Sequence, residues 1–244
     1  MFLLSGPSGS TARLFSLSTG QVQWERPLHN ATAAHLTVPN HLGTDVDFTE
    51  DGASAVILSD GRRITKIAMD TGKMEWSMEA PGAGDTVLFK QILVSGEAIH
   101  SLALTSSTES LTLTTLSFDL KTSRPLSDFT QIPSWIPNPS QALLACAPGG
   151  GSVRVVWFDH GRIRSAYISE AGQLGGTKET LPGKGHKYGE IIESGSRKKG
   201  LVLGQKENGA VQVINVITAK VVDEFEMSVS HAPCSRDVDH FWPG

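Results

Sequence analysis

Cysteine is scarce: Cys146 and Cys234 are the only two in 244 residues, too few for a disulfide framework. Cys146 ends the apolar run Ala142-Leu143-Leu144-Ala145-Cys146 and reads as a buried free thiol. No apolar stretch approaches the roughly 20 residues that a membrane-spanning helix needs. Met1-Phe2-Leu3-Leu4 is too short for a signal-peptide core and reads as the remnant of a strand. Positive charge is not in excess either. The 21 Lys and Arg against 25 Asp and Glu leave a net charge of −4, which speaks against binding nucleic acid or an acidic membrane surface. Helical periodicity is missing throughout, and residues 126–131 could make a single helical turn at most.

What the chain has is punctuation. Its 25 glycines and 12 prolines suit many short strands joined by many turns, and the turns repeat. Leu17-Ser18-Thr19-Gly20-Gln21-Val22-Gln23-Trp24-Glu25 returns as Met69-Asp70-Thr71-Gly72-Lys73-Met74-Glu75-Trp76-Ser77, with the glycines and the tryptophans both 52 positions apart. Weaker copies place Ser123, Gly172 and Ala219 where Gly20 and Gly72 stand, at intervals of 51, 49 and 47. Upstream of the turns lie further strand pairs joined by Asp60-Gly61, His160-Gly161 and Asn208-Gly209, where Asp-Gly and Asn-Gly are strong hairpin signals.

Adding a neighbouring strand at Thr44-Asp45-Val46-Asp47-Phe48 gives four strands in roughly 50 residues, the size of a propeller blade. The expected fold is all-β: a partial β-propeller of about five four-stranded blades over residues 1–227, with turns near 20, 72, 123, 172 and 219. Residues 228–244 fit no blade and are expected to be an irregular, disordered tail. Gly20, Gly72, Trp24 and Trp76 are the expected packing anchors of the repeat, since a large aromatic at the same place in successive units suits inter-blade packing.

The stretch Asp70-Thr71-Gly72-Lys73-Met74-Glu75-Trp76 resembles the repeat of quinoprotein-type propellers, although there a residue or two usually intervenes between the Asp and the Thr. Arg13 to Glu25, followed by the blade with Asp60-Gly61 and Asp70-Thr71-Gly72, is similar to the lumenal propeller of the first-subunit family of the endoplasmic reticulum membrane protein complex. As architecture the likeness covers about residues 9 to 225; residue by residue it lies in the first two blades. It implies a non-catalytic lumenal scaffold of a membrane-protein insertase and chaperone assembly. Its partners would be the other subunits of that complex and client membrane proteins, with no nucleic acid and no cofactor. That family also has a signal sequence, further blades, a second lumenal domain and a terminal membrane helix, so this chain is expected to be a fragment or truncated product. Asn30-Ala31-Thr32 makes Asn30 a candidate glycosylation site.

The competing expectation for such repeats is a quinone- and Ca²⁺-dependent oxidoreductase. It would need acidic and amide ligands beside the quinone and an aromatic floor, and it often carries an adjacent Cys-Cys pair, which this sequence does not have. The acids Asp45, Asp47, Glu50 and Asp51, and likewise Asp223, Glu224 and Glu226, read as solvated faces of edge strands. His231, Cys234 and His240 with Asp237 and Asp239 match no recognised closed zinc spacing. Lys184-Gly185-His186-Lys187 and Arg197-Lys198-Lys199 concentrate positive charge and read as solvated connections. No catalytic, cofactor-binding or metal-ligating residue is assigned. The Gly-His…Trp-Asp signature of cytosolic interaction propellers is missing.

Overall fold

A computed structural model describes residues 1–5, 10–28, 44–79, 87–106, 111–132, 141–149, 151–175, 179–182, 187–192 and 197–226. Asn30, the 228–244 segment with its His and Cys residues, and Lys184 to His186 lie outside them.

The strands form five antiparallel sheets, each a meander in chain order. Blade 1 holds β1 (Phe2–Ser5), β2 (Thr11–Phe15) and β3 (Val22–Pro27). Blade 2 holds β4 (Asp45–Phe48), β5 (Ser54–Ser59), β6 (Arg63–Ala68) and β7 (Met74–Glu79). Blade 3 holds β8 (Val87–Ser95), β9 (Ala98–Ser106), β10 (Leu111–Asp119) and β11 (Thr130–Gln131). Blade 4 holds β12 (Ala142–Cys146), β13 (Val153–Asp159), β14 (Arg162–Ile168) and β15 (Glu179–Leu181). Blade 5 holds β16 (Tyr188–Ile192), β17 (Leu201–Lys206), β18 (Ala210–Asn215) and β19 (Lys220–Glu226). The first sheet has three strands among the described residues and the other four have four each. Arg197–Lys199 form a 3-10 turn. Residues 126–131 form no helix; they run into the two-residue strand β11.

The five turn copies share one backbone conformation. Gly20, Gly72, Ser123, Gly172 and Ala219 all have positive φ, at 69°, 64°, 59°, 78° and 54°. In three of them the turn residue donates its N–H to the carbonyl four residues back: Gly20 to Ser16, Gly72 to Ala68 and Ser123 to Asp119, each 2.9 Å. A register shift follows at Leu14/Phe15, Lys66/Ile67 and Val213/Ile214, the geometry of a hairpin closed by a bulge. A left-handed residue is therefore required at this place, which is why glycine recurs there. Ser123 and Ala219 hold it without one.

The cores lie between successive sheets. Ala12, Trp24 and Leu28 of blade 1 meet Ala55, Ile57 and Ile67 of blade 2. Val56, Leu58 and Ile64 on the opposite face of blade 2 meet Phe89, Ile92 and Ile99 of blade 3. Leu93, Leu102 and Leu113 meet Leu144, Val155 and Trp157 of blade 4, and Leu143, Val156 and Ile163 meet Tyr188, Val202 and Ile214 of blade 5. A sheet covered on both faces needs apolar residues at every position rather than at alternate ones. That is the pattern of β5, Ser-Ala-Val-Ile-Leu-Ser, and of β12, Ala-Leu-Leu-Ala-Cys, both buried along their whole length.

Candidate functional site

The first strand of each meander is an edge strand, and its outward N–H groups need acceptors. In blades 3, 4 and 5 side chains of the preceding blade supply acceptors. The Asp45 carboxylate accepts from Ile92 N at 2.9 Å and the Asp47 carboxylate from Val94 N at 2.7 Å. Glu50 accepts from Gly96 N at 3.2 Å. The acids of β4 alternate with the same period as the amides of β8, so each carboxylate meets one N–H. Gln91 then accepts from Leu144 N at 2.6 Å, and Gln141 from Ile191 N at 2.8 Å. The buried Lys90 ammonium donates to the Ala142 carbonyl. At the other end of the strands, the turn carbonyls of Gly61 and Gly161 accept from Phe89 N and Tyr188 N, at 2.8 and 2.9 Å.

The same acids receive a second set of partners from far along the chain. The loop between β16 and β17 brings the Arg197 guanidinium onto both Asp45 carboxylate oxygens at 2.9 Å, a bidentate pair spanning 152 positions. Lys198 lies 3.0 Å from Asp47 and donates to the Phe48 carbonyl. The side chains of Asp45 and Arg197 are only 18% and 13% exposed. Burial pushes the Asp45 carboxyl above its ordinary value, and the charge of Arg197 and its hydrogen bonds oppose that shift. Two expectations are corrected here. Asp45 and Asp47 are not a solvated face, and Arg197 and Lys198 are not a solvated connection. The two charge groups neutralise each other in a partly buried contact between blades 5 and 2, where bidentate geometry is strong. Asp51, by contrast, is exposed and bonds locally to Thr49 and Ala53. Lys199 is also exposed.

Trp24 and Trp76 occupy matching inter-blade positions. The Trp24 indole N–H donates to the Met69 carbonyl at 2.8 Å, and the Trp76 indole N–H to the Leu120 carbonyl at 3.1 Å. Each acceptor stands three residues before the left-handed residue of the next blade. A Cβ on Gly72 would lie 2.5 Å from the Trp24 ring, so that ring closes directly on the turn. In blade 3 the corresponding place is held by Ser127, and a Cβ on Gly172 would lie 2.6 Å from its hydroxyl. Gly20 has open space around it.

The remaining cysteine, histidine and acidic groups are dispersed. Cys146 is buried, and burial raises its thiol to about 11, so it is no nucleophile near neutral pH. His100 is 2% exposed, bonds Ser117 Oγ through Nδ1 at 2.8 Å, and is held at about 4 by burial. His160 lies on an exposed turn beside Asp159. Glu224 pairs with Lys206 at 2.9 Å and accepts from Gln212 at 2.6 Å, while Asp223 and Glu226 are exposed. Among the described residues, no three His, Cys, Asp or Glu side chains gather into a metal-binding group.

Among the described residues, clefts open between blades at the end where the first and third turns lie. One, of about 410 Å³, separates blades 3 and 4; another, of about 420 Å³, separates blades 2 and 3.

The sequence matches no known family profile and no curated protein sequence. The fold is similar to solved β-propeller structures. BamB from Moraxella catarrhalis superposes with a TM-score of 0.53 at 14% identity, over 92% of this chain and 61% of BamB. The dihydro-heme d1 dehydrogenase NirN, solved in complex with DHE, superposes with a TM-score of 0.53 at 14% identity, over 93% of this chain and 43% of NirN. The chain thus spans less than two thirds of either protein. At this identity the likeness is one of fold.

Proposed function

We propose that this chain is a non-catalytic interaction module: a set of propeller blades in the lumenal scaffold of a membrane-protein insertase complex of the endoplasmic reticulum. The observation that carries the reading is the engagement of the β4 acids. Asp45 and Asp47 belong to the acidic cluster, with Glu50 and Asp51, that is weighed against a Ca²⁺ and quinone site. Each is committed to an amide of the next blade and to a cation of blade 5. Polar groups spent on holding blades together make a stiff platform and leave the grooves between blades as the surfaces on offer. The Thr-Gly-x-x-x-Trp turns of blades 1 and 2, with the resemblance they carry, support placing the platform in that complex.

The test is purification of the tagged full chain from detergent-solubilised endoplasmic reticulum membranes. The expected result is a complex with integral membrane subunits that survives size-exclusion chromatography. Elution of the chain by itself overturns the scaffold assignment. Recovery of oxidoreductase activity on adding pyrroloquinoline quinone and Ca²⁺ overturns the non-catalytic one.

A further inference from the structure

We infer that the cleft between blades 3 and 4 is a docking groove for an extended peptide segment in which basic side chains flank an apolar one. This deepens the interaction-module reading and rests on it. The floor is apolar: Val153 and Ile168 are 2% and 1% exposed, and Leu126 stands at the rim, 41% exposed. The rim carries three carboxylates, Glu97, Asp119 and Glu170, and among the described residues no Lys or Arg lines it. Glu97 and Glu170 are exposed, and among the described residues neither makes an ion pair or a side-chain hydrogen bond. Asp119 stays ionised, held below its ordinary value by its bonds to the Thr122 hydroxyl and amide. His100 at the base is uncharged at neutral pH, so nothing in the lining offsets the acids among the described residues.

The neighbouring cleft makes the contrast. Between blades 2 and 3 the acids Glu50, Asp51 and Glu97 share the lining with Lys66 and Lys121, so two of the three negative charges have a cation in the same lining. Of these two clefts, the one between blades 3 and 4 carries the larger unoffset negative charge, around an apolar base. The three carboxylates do not converge as metal ligands do, which selects an elongated, multiply charged occupant over a single cation. The volume suits side chains of a short segment. Acidic rims steer cationic partners and set orientation, while the buried apolar contact supplies affinity.

Gly151 gives a way to close the groove without disturbing the fold. Its φ is not in the left-handed region, and a Cβ there would meet no atom within 4 Å. The experiment is fluorescence polarisation with the full chain and two labelled pentapeptides, Leu-Lys-Leu-Arg-Val and Leu-Glu-Leu-Glu-Val. The expected result is saturable binding of the basic peptide only. Gly151→Trp, and separately the pair Glu97→Gln with Glu170→Gln, should each weaken it at least about tenfold. Glu207→Gln, exposed on another turn, should leave it unchanged, and unaltered melting curves would show that the variants fold. Equal binding of the two peptides, no binding of either, or full binding by both the plugged and the neutralised variants overturns the groove. Co-purification of membrane subunits alongside any of those results leaves the scaffold reading standing; peptide binding without co-purification overturns the scaffold reading and spares the groove.

Discussion

The indole N–H of Trp24 in blade 1 donates to the Met69 carbonyl of blade 2 at 2.8 Å. Trp76 repeats the bond one blade later, to Leu120 at 3.1 Å. Each tryptophan fastens its own outer strand to the base of the next blade's left-handed turn. Trp24→Ala removes a ring that is 8% exposed and should cost on the order of 3–5 kcal/mol, as for other buried aromatic truncations. Trp24→Phe keeps most of the packing and should cost nearer about 1 kcal/mol, the value of the lost hydrogen bond. Urea unfolding of the three proteins checks both numbers.

Glycine is needed to different degrees at equivalent turns. Gly20→Ala meets only the left-handed backbone penalty, roughly 1–2 kcal/mol, because nothing lies near its would-be Cβ. Gly72→Ala meets that penalty and the Trp24 ring at 2.5 Å, and should be clearly more destabilising. Ala219 already bears the penalty, at φ 54°. Ala219→Gly should therefore raise stability by up to about 1 kcal/mol after the greater unfolded-state freedom of glycine is subtracted. Thermal melts of the three variants would order them.

Removing Arg197 leaves the Asp45 charge partly buried with its main cation gone. Arg197→Leu is expected to cost about 3–5 kcal/mol, the range for breaking one side of a buried pair. Adding Asp45→Asn should restore much of it, because the amide oxygen still accepts from Ile92 N and no charge remains. If the double variant is as unstable as the sum of the singles, the ion pair is not what holds the loop to β4.

Gln91→Leu deprives the buried Leu144 amide of its acceptor. Leaving a buried donor unsatisfied should cost about 1–3 kcal/mol, and native-state hydrogen exchange should show faster exchange at Leu144 than in the parent.

His100 makes stability depend on acid. Its folded pKa of about 4 lies below the ordinary 6.5 because burial disfavours the imidazolium. Between those values the unfolded chain binds more protons than the folded one, so stability falls as pH drops from about 6.5 to about 4. The full effect is on the order of 3 kcal/mol. Replacing His100 by Gln should flatten that part of the stability profile, measured by denaturant midpoint against pH.

Much of the fold could be read directly from the residues. A turn that demands positive φ marks itself with glycine, and a fixed distance to the next aromatic marks the strand that leaves it. The degraded copies at Ser123 and Ala219 were legible only through the period, since neither residue type favours that conformation. The continuous apolar runs of β5 and β12 likewise signal sheets covered on both faces. The exchange of Trp for Ser127 in blade 3 was also open to inspection, four residues after Ser123, as Trp76 is after Gly72. The charged residues misled. Alternating acids in β4 look the same whether they face water or a neighbouring strand's amides, because period two records only that they share a side.

The sequence by itself determined the repeat, the all-β class and the hairpins, because each depends on local backbone preference and on periodicity within about ten residues. The tertiary structure alone decided which blades touch through which charges. Arg197 and Asp45 meet across 152 positions, and nothing in either residue's neighbourhood announces the other. The same holds for the cleft between blades 3 and 4, whose floor and rim come from turns of two blades. Long-range juxtaposition is fixed by how whole sheets stack, and stacking is set by buried area rather than by any short pattern.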